Sequence, residues 1–457
     1  SEQLNYYPSL FFKAENLREF LYKNHFTGYV GKISDEEYSS SKNKGYSINS
    51  SIGKSGIEKY YEDILSGENG YEILQVDANG NNLQFFKHNL KKQALNGKNL
   101  ILSIDNDLQQ FIDSIFPDKG RGCVIVSEVQ TGEILAYISK PSFDQNIFSN
   151  NLGEEEWAEF LSDPAKPMLD RIIHGTYPPG SVYKPVIACL GLETKTIGEN
   201  TKMANCTGGM QFGNKFVKCW WEGGHGRLNI IDAMKFSCDV FFYDLSTHFT
   251  LEQIDQYTKQ NLMTIRTGID IPGERKGFFP TAEWYLDNYG KFLGTIGHKV
   301  NLSIGQGELL VTPLQICSYY AALGNNGVWI QPHFLSKIVE EDYLLTRKYN
   351  HFQLPVSDEN LQLIKRSLFK AVNEQYGTGT SASVRNVRVY GKTGSAENHM
   401  GEKTHAWFAG FAEWEKPEIA FTVFIENAGH GGSVAAPIAG KIVRFYGEKL
   451  KQNKDKY

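Results

Sequence analysis

GCVIVSEVQTGEILAYIS, residues 122–139, reads as two strands around a turn. CVIVSEV and ILAYIS are apolar or alternating runs, and the Gly-containing QTGE between them makes the unit a hairpin. At the far end of the chain VRVYGKTGSAE (387–397), HAWFAGFAEW (405–414) and EIAFTVFIEN (418–427) read as three more strands joined by short turns. The stretches between carry helical patterns, among them SVYKPVIACLGLE, LNIIDAMKFS, LEQIDQYTKQNL and TPLQICSYYAALGN. Strands at both ends with helices between them predict one sheet closed by the two ends of the chain, an α+β or mixed α/β domain.

Ahead of this region, residues 1–117 are polar and loop-rich, with turn-forming stretches such as SSSKNKGYSINSSIGKSG and DANGNNLQ. They predict a separate, extended module. NLILSIDNDLQQFIDSIF passes from an alternating run into an amphipathic helix that DKGRG breaks, which puts the domain boundary near Asp118. A chain of 457 residues, 41% hydrophobic, has room for two or more domains. A net charge of −5 over 22% charged residues leaves no basic stripe for nucleic acid and no acidic tail. No run of 18 apolar residues is present, and the first residues lack the order of a signal peptide.

The chemistry centres on PPGSVYKP, where a Pro-Pro-Gly turn precedes Ser181 and Lys184 follows one helical turn later. Residues i and i+3 share a helix face. A lysine whose pKa is lowered by burial or by nearby cations can activate the serine hydroxyl, and free N–H groups at a helix start can hold an oxyanion. Ser-x-x-Lys also begins at Ser39, Ser41, Ser51 and Ser367, where no turn-then-helix context accompanies it. GKTGSAE (391–397) lays Lys392, Thr393, Gly394 and Ser395 on a predicted strand that can lie at a sheet edge, with an ammonium and two hydroxyls suited to a carboxylate. KSG at 54–56 is its decoy. SCD at 237–239 adds a hydroxyl for a proton relay, Ser237, and a short polar side chain, Asp239, suited to a substrate amide.

Cys206, Cys219, His225 and Cys238 follow one another as C-x12-C-x5-H-x12-C. Three thiolates and an imidazole suit a closed tetrahedral zinc site, while one disulfide with a leftover thiol, or unlinked cysteines, are the alternatives. Cys123, Cys189 and Cys317 sit in apolar runs and read as small core residues. Trp220 and Trp221 read as one core and one surface residue, with a substrate groove as the alternative; His405 opens a strand near Lys392 with either a substrate contact or a structural role, and Gln306 in GQGELLVTP reads as a loop-shaping residue.

The order Ser-x-x-Lys, Ser-x-Asn, Lys-Thr-Gly is that of penicillin-binding proteins and class A β-lactamases. TGEILAYISKPSFDQNIF, YPPGSVYKP, GHGRLNIIDAMKFSCDVFFY, IGQGELLVTPLQ and YGTGTSASVRNVRVYGKTGSAE resemble class B penicillin-binding proteins, most closely the elongation-type branch, penicillin-binding protein 2. The likeness runs over 118–457, and GYVGKIS with GKSGIEKYYEDILSGENGYEILQVDANG resembles that family's N-terminal pedestal, a dimerisation-type module, within 1–117.

The resemblance implies a transpeptidase fold with a central antiparallel sheet between helices, cross-linking peptidoglycan stem peptides during cell-wall elongation and acylated by β-lactams. It implies Ser181 as nucleophile, Lys184 as its base, Ser237 as proton relay, the N–H groups of Ser181 and Ser395 as oxyanion hole, and Lys392, Thr393 and Ser395 as carboxylate binders. Asp239 stands where the general motif has Asn, a branch feature, and Ser395 replaces the commoner Thr. The resemblance also implies a structural zinc with ligands at positions matching Cys219, His225 and Cys238, and Cys206 is the candidate for the fourth. Implied partners are a lipid-II polymerase and elongation scaffold proteins, with no nucleic acid. Implied too is the periplasmic face of the inner membrane, reached by a transmembrane helix absent from this chain, so that the chain reads as a trimmed ectodomain. The competing readings are a β-lactam-sensing receptor domain and a β-lactamase or D,D-carboxypeptidase.

Overall fold

The structure, a computed structural model, describes residues 18–41, 45–72, 91–149, 154–290, 296–340, 343–398 and 403–454. The DANGNNLQ turn lies outside the described residues. The chain forms two compact units, Ser1–Asn96 with Phe143–Ser162, and Gly97–Ser142 with Asp163–Tyr457.

In the first unit a short hairpin pairs Val30–Lys32 with Ser51–Gly53. The side-chain amide of Gln145 acts as a strand would toward Asn24, donating to its carbonyl at 2.6 Å and accepting from its N–H at 3.3 Å. This contact carries residues of the 143–162 segment into the unit. Lys54 of the KSG decoy is spent on an ion pair with Glu37.

The second unit is built on five antiparallel strands, β1 (Gly122–Glu128), β2 (Ile134–Lys140), β3 (Arg388–Ala396), β4 (His405–Glu413) and β5 (Pro417–Ile425). Their order is β3-β4-β5-β1-β2, so the C-terminal β5 pairs with β1 and the two ends of the unit close one sheet as predicted. The helices that bear on the core or the site are α1 (Asn106–Ile115), α2 (Lys184–Glu193), α3 (Ile230–Lys235), α4 (Asp239–Thr247), α5 (Pro313–Gly324), α6 (Asp358–Asn373) and α7 (Ala435–Lys454).

Successive strand residues face opposite sides, and here both sides are covered. Val124, Val126, Phe408, Ala412, Phe421 and Val423 join Leu108 and Ile112 of α1 and Ala439, Ile442 and Val443 of α7 in one buried cluster. The intervening residues meet α5, whose Cys317 Sγ lies 3.7 Å from Ser127 Oγ and 3.9 Å from the Ile125 carbonyl. Burial on both faces explains why the strands read as nearly continuous apolar runs. Cys123, Cys189 and Cys317 are buried and unlinked, and burial pushes the Cys189 and Cys317 thiols up to about 12.

The unit boundary falls at 96/97 rather than near Asp118. The cause is α1: Leu108 and Ile112 have no exposure, because the helix lays its apolar stripe on the main sheet. Asn99–Leu102 likewise pairs with Leu335–Glu340 of the second unit.

Candidate active site

Ser181 lies on a 3₁₀ turn, Gly180–Tyr183, that runs into α2 at Lys184. A 3₁₀ turn eclipses residues i and i+3, so this local geometry brings the two motif residues over each other more directly than a regular α-turn does. The Pro-Pro turn before it is tied down by Trp407, whose indole N–H donates to the Pro178 carbonyl at 3.1 Å. On the other side the Gly180 N–H donates to Gly305 O at 2.8 Å. Gly305 has φ +73°, and a Cβ there would stand 2.2 Å from the Gly180 carbonyl oxygen, so only glycine lets the two chains meet.

Lys184 is fully buried, and its Nζ is hydrogen-bonded to Ser237 O at 2.8 Å, Ser237 Oγ at 3.1 Å and Asp239 Oδ1 at 2.7 Å. Both oxygens of Asp239 are engaged, since Oδ2 accepts from the Trp220 N–H at 3.0 Å. The carboxylate spans Lys184 and the backbone beside Cys219, and Asp239 also lines the cavity described below.

The SCD triplet is a helix-to-helix junction. Ser237 has φ +54°, its N–H donates to Met234 O at 3.2 Å, and the Cys238 N–H donates to Ala233 O at 2.9 Å. This pair of bonds is the Schellman end of α3, in which the left-handed residue is usually glycine. A serine there costs about 1 kcal/mol or more, and in exchange the hydroxyl is aimed at Lys184. Cys238 then caps α4 in an extended conformation, and Asp239 opens that helix.

β3 forms the opposite wall at the edge of the sheet. Lys392 is fully buried and donates to Thr393 O at 3.1 Å, and Thr393 Oγ1 donates to Thr378 Oγ1 at 3.0 Å. Burial, with Lys184 nearby adding to it, holds the Lys392 amine well below the usual lysine range. A bound carboxylate would favour its charged form. Gly394 passes against the Pro-Pro turn, where a Cβ would lie 2.9 Å from Pro179 O. Ser395 Oγ accepts from the Gly431 N–H at 3.3 Å and lies 3.5 Å from His430 Nδ1. Ser181, Ser237, Asp239, Thr393 and Ser395 line one cavity of about 940 Å³.

Cys206, Cys219, Cys238 and His225 converge so that their ligand atoms lie within 4.8 Å of one another. Cys206 Sγ and Cys219 Sγ each stand 3.6 Å from His225 Nδ1. In a tetrahedral zinc site with Zn–S and Zn–N bonds near 2.3 and 2.0–2.1 Å, sulfur and nitrogen are about 3.6 Å apart, so the donor set fits that ion. None of the four is in a disulfide. Hydrogen bonding from Cys238, with His225 adding to it, holds the Cys219 thiol well below its ordinary value.

Loops supply further lining residues, of which His430 and Thr378 are not marked by the sequence. Trp220 and Trp221, expected to split between core and surface, are 55% and 52% exposed on the cavity wall. Gln306 bonds β3 through its side chain, and His430 and Thr378 line the cavity from loops, where no periodic signal marks them. His405 is buried and accepts from the Asn427 N–H at 3.1 Å, which makes it a strand-end fastener.

A serine beside a buried lysine, a hydroxyl relay and a basic edge strand define the class of penicillin-binding acyl-transfer proteins. Residues 122–444 match the penicillin binding protein transpeptidase domain and residues 1–102 the penicillin-binding protein dimerisation domain, and the chain belongs to this family. It is 32% identical to the peptidoglycan D,D-transpeptidase MrdA of Haemophilus influenzae over 99% of this chain and 72% of that protein. To the Escherichia coli K12 protein of the same name it is 30% identical over 94% of this chain and 71% of that one. Among solved structures it resembles Pseudomonas aeruginosa PBP2 in complex with WCK 5153, with a TM-score of 0.81, 28% identity, and coverage of 93% of this chain and 89% of that one. Helicobacter pylori PBP2, in a complex with MreC, aligns with a TM-score of 0.80 and 28% identity over 92% of this chain and 77% of that one.

Proposed function

We propose that this chain is a peptidoglycan D,D-transpeptidase of the elongation-type branch, working through a serine acyl-enzyme. The observation that supports it best is the pairing of Lys184 with Ser237 and Asp239 at the cavity that Ser181 and Ser395 share. Ser181 Oγ attacks the carbonyl of the penultimate D-alanine, and its proton passes to the neutral form of Lys184. The C–Oγ bond forms, the C–N bond to the terminal D-alanine breaks, and Ser237 hands a proton to the departing amine while taking one back from Lys184, which is neutral again. An amine of a neighbouring stem then attacks the ester, and its proton returns to Ser181 Oγ as the C–O bond breaks. The N–H groups of Ser181 and Ser395 hold the oxyanion, and Lys392, Thr393 and Ser395 take the terminal carboxylate. β-Lactams present the same carbonyl and acylate the same serine.

Cys206, Cys219, His225 and Cys238 are proposed to hold a structural Zn²⁺, which when bound braces the wall that carries Trp220 and Asp239. Among the described residues no helix is long and apolar enough to cross a membrane. The reading nevertheless has the enzyme act outside the cytoplasm, anchored at the outer face of the inner membrane, as the resemblance implies. A complex of H. pylori PBP2 with MreC supports a scaffold protein as partner, and a lipid-II polymerase is the second partner proposed.

Labelling with a fluorescent penicillin tests the nucleophile. Wild type takes up the label and keeps it, whereas Ser181→Ala stays dark. Equal labelling of both sinks the assignment, and rapid loss of label points to a β-lactamase.

A further inference from the structure

The loop of residues 304–308, IGQGE, reaches both walls of the site. Gly305 accepts from Gly180, one residue before Ser181. Its neighbour Gln306 sends its side chain to β3, where Nε2 donates to the Ser395 carbonyl at 3.0 Å and Oε1 accepts from the Glu397 N–H at 3.2 Å. An extended residue turns its N–H and C=O to the same side, and β3 has a sheet neighbour on one side only. The bond to the Ser395 carbonyl therefore identifies the free edge as the side toward which the Ser395 N–H also points. A primary amide carries the donor and acceptor of a peptide group, so Gln306 pairs with β3 as one residue of a neighbouring strand would.

We propose that Gln306 is a positioning residue for acyl transfer: its amide holds the Ser395–Glu397 backbone so that the Ser395 N–H is aimed at the oxygen of the carbonyl that Ser181 attacks. The inference rests on the transpeptidase reading. The loop is able to do this because its own backbone is anchored. The Gln306 N–H donates to Asn301 O at 3.0 Å, and the close approach of Gly305 to Gly180 sets the loop against the Ser181 turn. One short loop thus registers the nucleophile against the oxyanion donor. It adds to the direct contact of Gly394 with the Pro-Pro turn in linking two groups that lie more than 200 positions apart in sequence, Ser181 and Ser395.

Rapid-mixing acylation by a fluorescent penicillin separates the first-order acylation constant from the preceding dissociation constant. Gln306→Leu keeps the bulk and removes both hydrogen bonds. Complete loss of an oxyanion donor costs about 10²–10³ in rate, so a misaimed one is expected to slow acylation about tenfold to a hundredfold. The dissociation constant is expected to hold within about threefold and the Tm within about 3 °C. Gln306→Glu keeps the acceptor for Glu397 but loses the donor to Ser395, and the same kinetic loss is expected; it carries the test if the leucine variant fails to fold. Acylation at the wild-type rate in either variant overturns the proposal, as does weaker binding with an unchanged acylation constant. Ser181→Ala is run alongside. Its labelling would defeat the transpeptidase reading itself, whereas a dark Ser181→Ala beside a fully active Gln306→Leu defeats only the role of Gln306.

Discussion

Ser237 stores a small, local strain, because its φ of +54° suits glycine and its hydroxyl suits catalysis. Ser237→Gly is expected to be about 1 kcal/mol more stable than Ser237→Ala, because both lose the hydroxyl but only glycine removes the Cβ from a left-handed position. Ser237→Ala keeps that strain. Both variants lose the relay and should slow acylation about a hundredfold or more; urea unfolding set beside penicillin labelling separates the two effects. Lys392 shows the same conflict in its charge. Its folded-state pKa lies below the unfolded value, so the unfolded chain binds more protons between the two and stability rises with pH across that window. Lys392→Met removes the penalty. Its Tm is expected above that of wild type at pH 7, with the gap closing as pH approaches about 10.4, the ordinary lysine value, while acylation falls sharply. A Tm gap that stays constant from neutral to alkaline pH would contradict the electrostatic cause.

At the scale of elements, the junction of α3 and α4 explains why a thiol stands between two residues proposed to act in catalysis. The Schellman end turns Ser237 toward Lys184, the extended Cys238 joins the cysteine cluster, and Asp239 returns to Lys184 as the first residue of α4. Asp239 also accepts from Trp220, the residue after Cys219, so the cluster and the catalytic lysine share one carboxylate. Metal analysis of wild type is expected to find about one Zn²⁺ per chain. Cys219→Ser should lower that content and the Tm together, with slower acylation as a consequence of a loosened Asp239. Full activity in a metal-free sample would end the zinc reading. That SCD sets two polar groups around a candidate zinc ligand was legible from the sequence. The double use of Asp239 was not, because its Trp220 partner belongs to a loop whose path no periodicity describes.

For the whole molecule, the closure of the sheet places Glu426, just past β5, against Arg171, 255 positions earlier. Arg171 is 2% exposed, donates Nε–H to Glu426 Oε1 at 2.8 Å and spends its other donors on the Ala165, Lys166 and Leu169 carbonyls. Tyr177, four residues before Ser181, donates its hydroxyl to the same carboxylate at 3.0 Å. Removing one partner of a buried pair leaves the other uncompensated. Glu426→Ala is therefore expected to destabilise the protein by about 3–5 kcal/mol, read by chemical denaturation; a loss under about 1 kcal/mol would show the pair to be solvent-relaxed.

Read by itself, the sequence determined the sheet closed by both chain ends, the Ser181 and Lys392 boxes and the four-residue cysteine and histidine set. These signals are short-range: strand runs, helical periods and motif spacings are properties of consecutive residues. Only the tertiary structure decided that α1 belongs to the catalytic unit, that Asp239 serves Lys184 and Trp220, that both tryptophans face the cavity, and that Gln306 reaches β3. In each case the deciding partner lies far away along the chain or on an aperiodic loop. A side chain's hydrogen bonds follow from where the closed fold brings that partner, which local pattern does not encode.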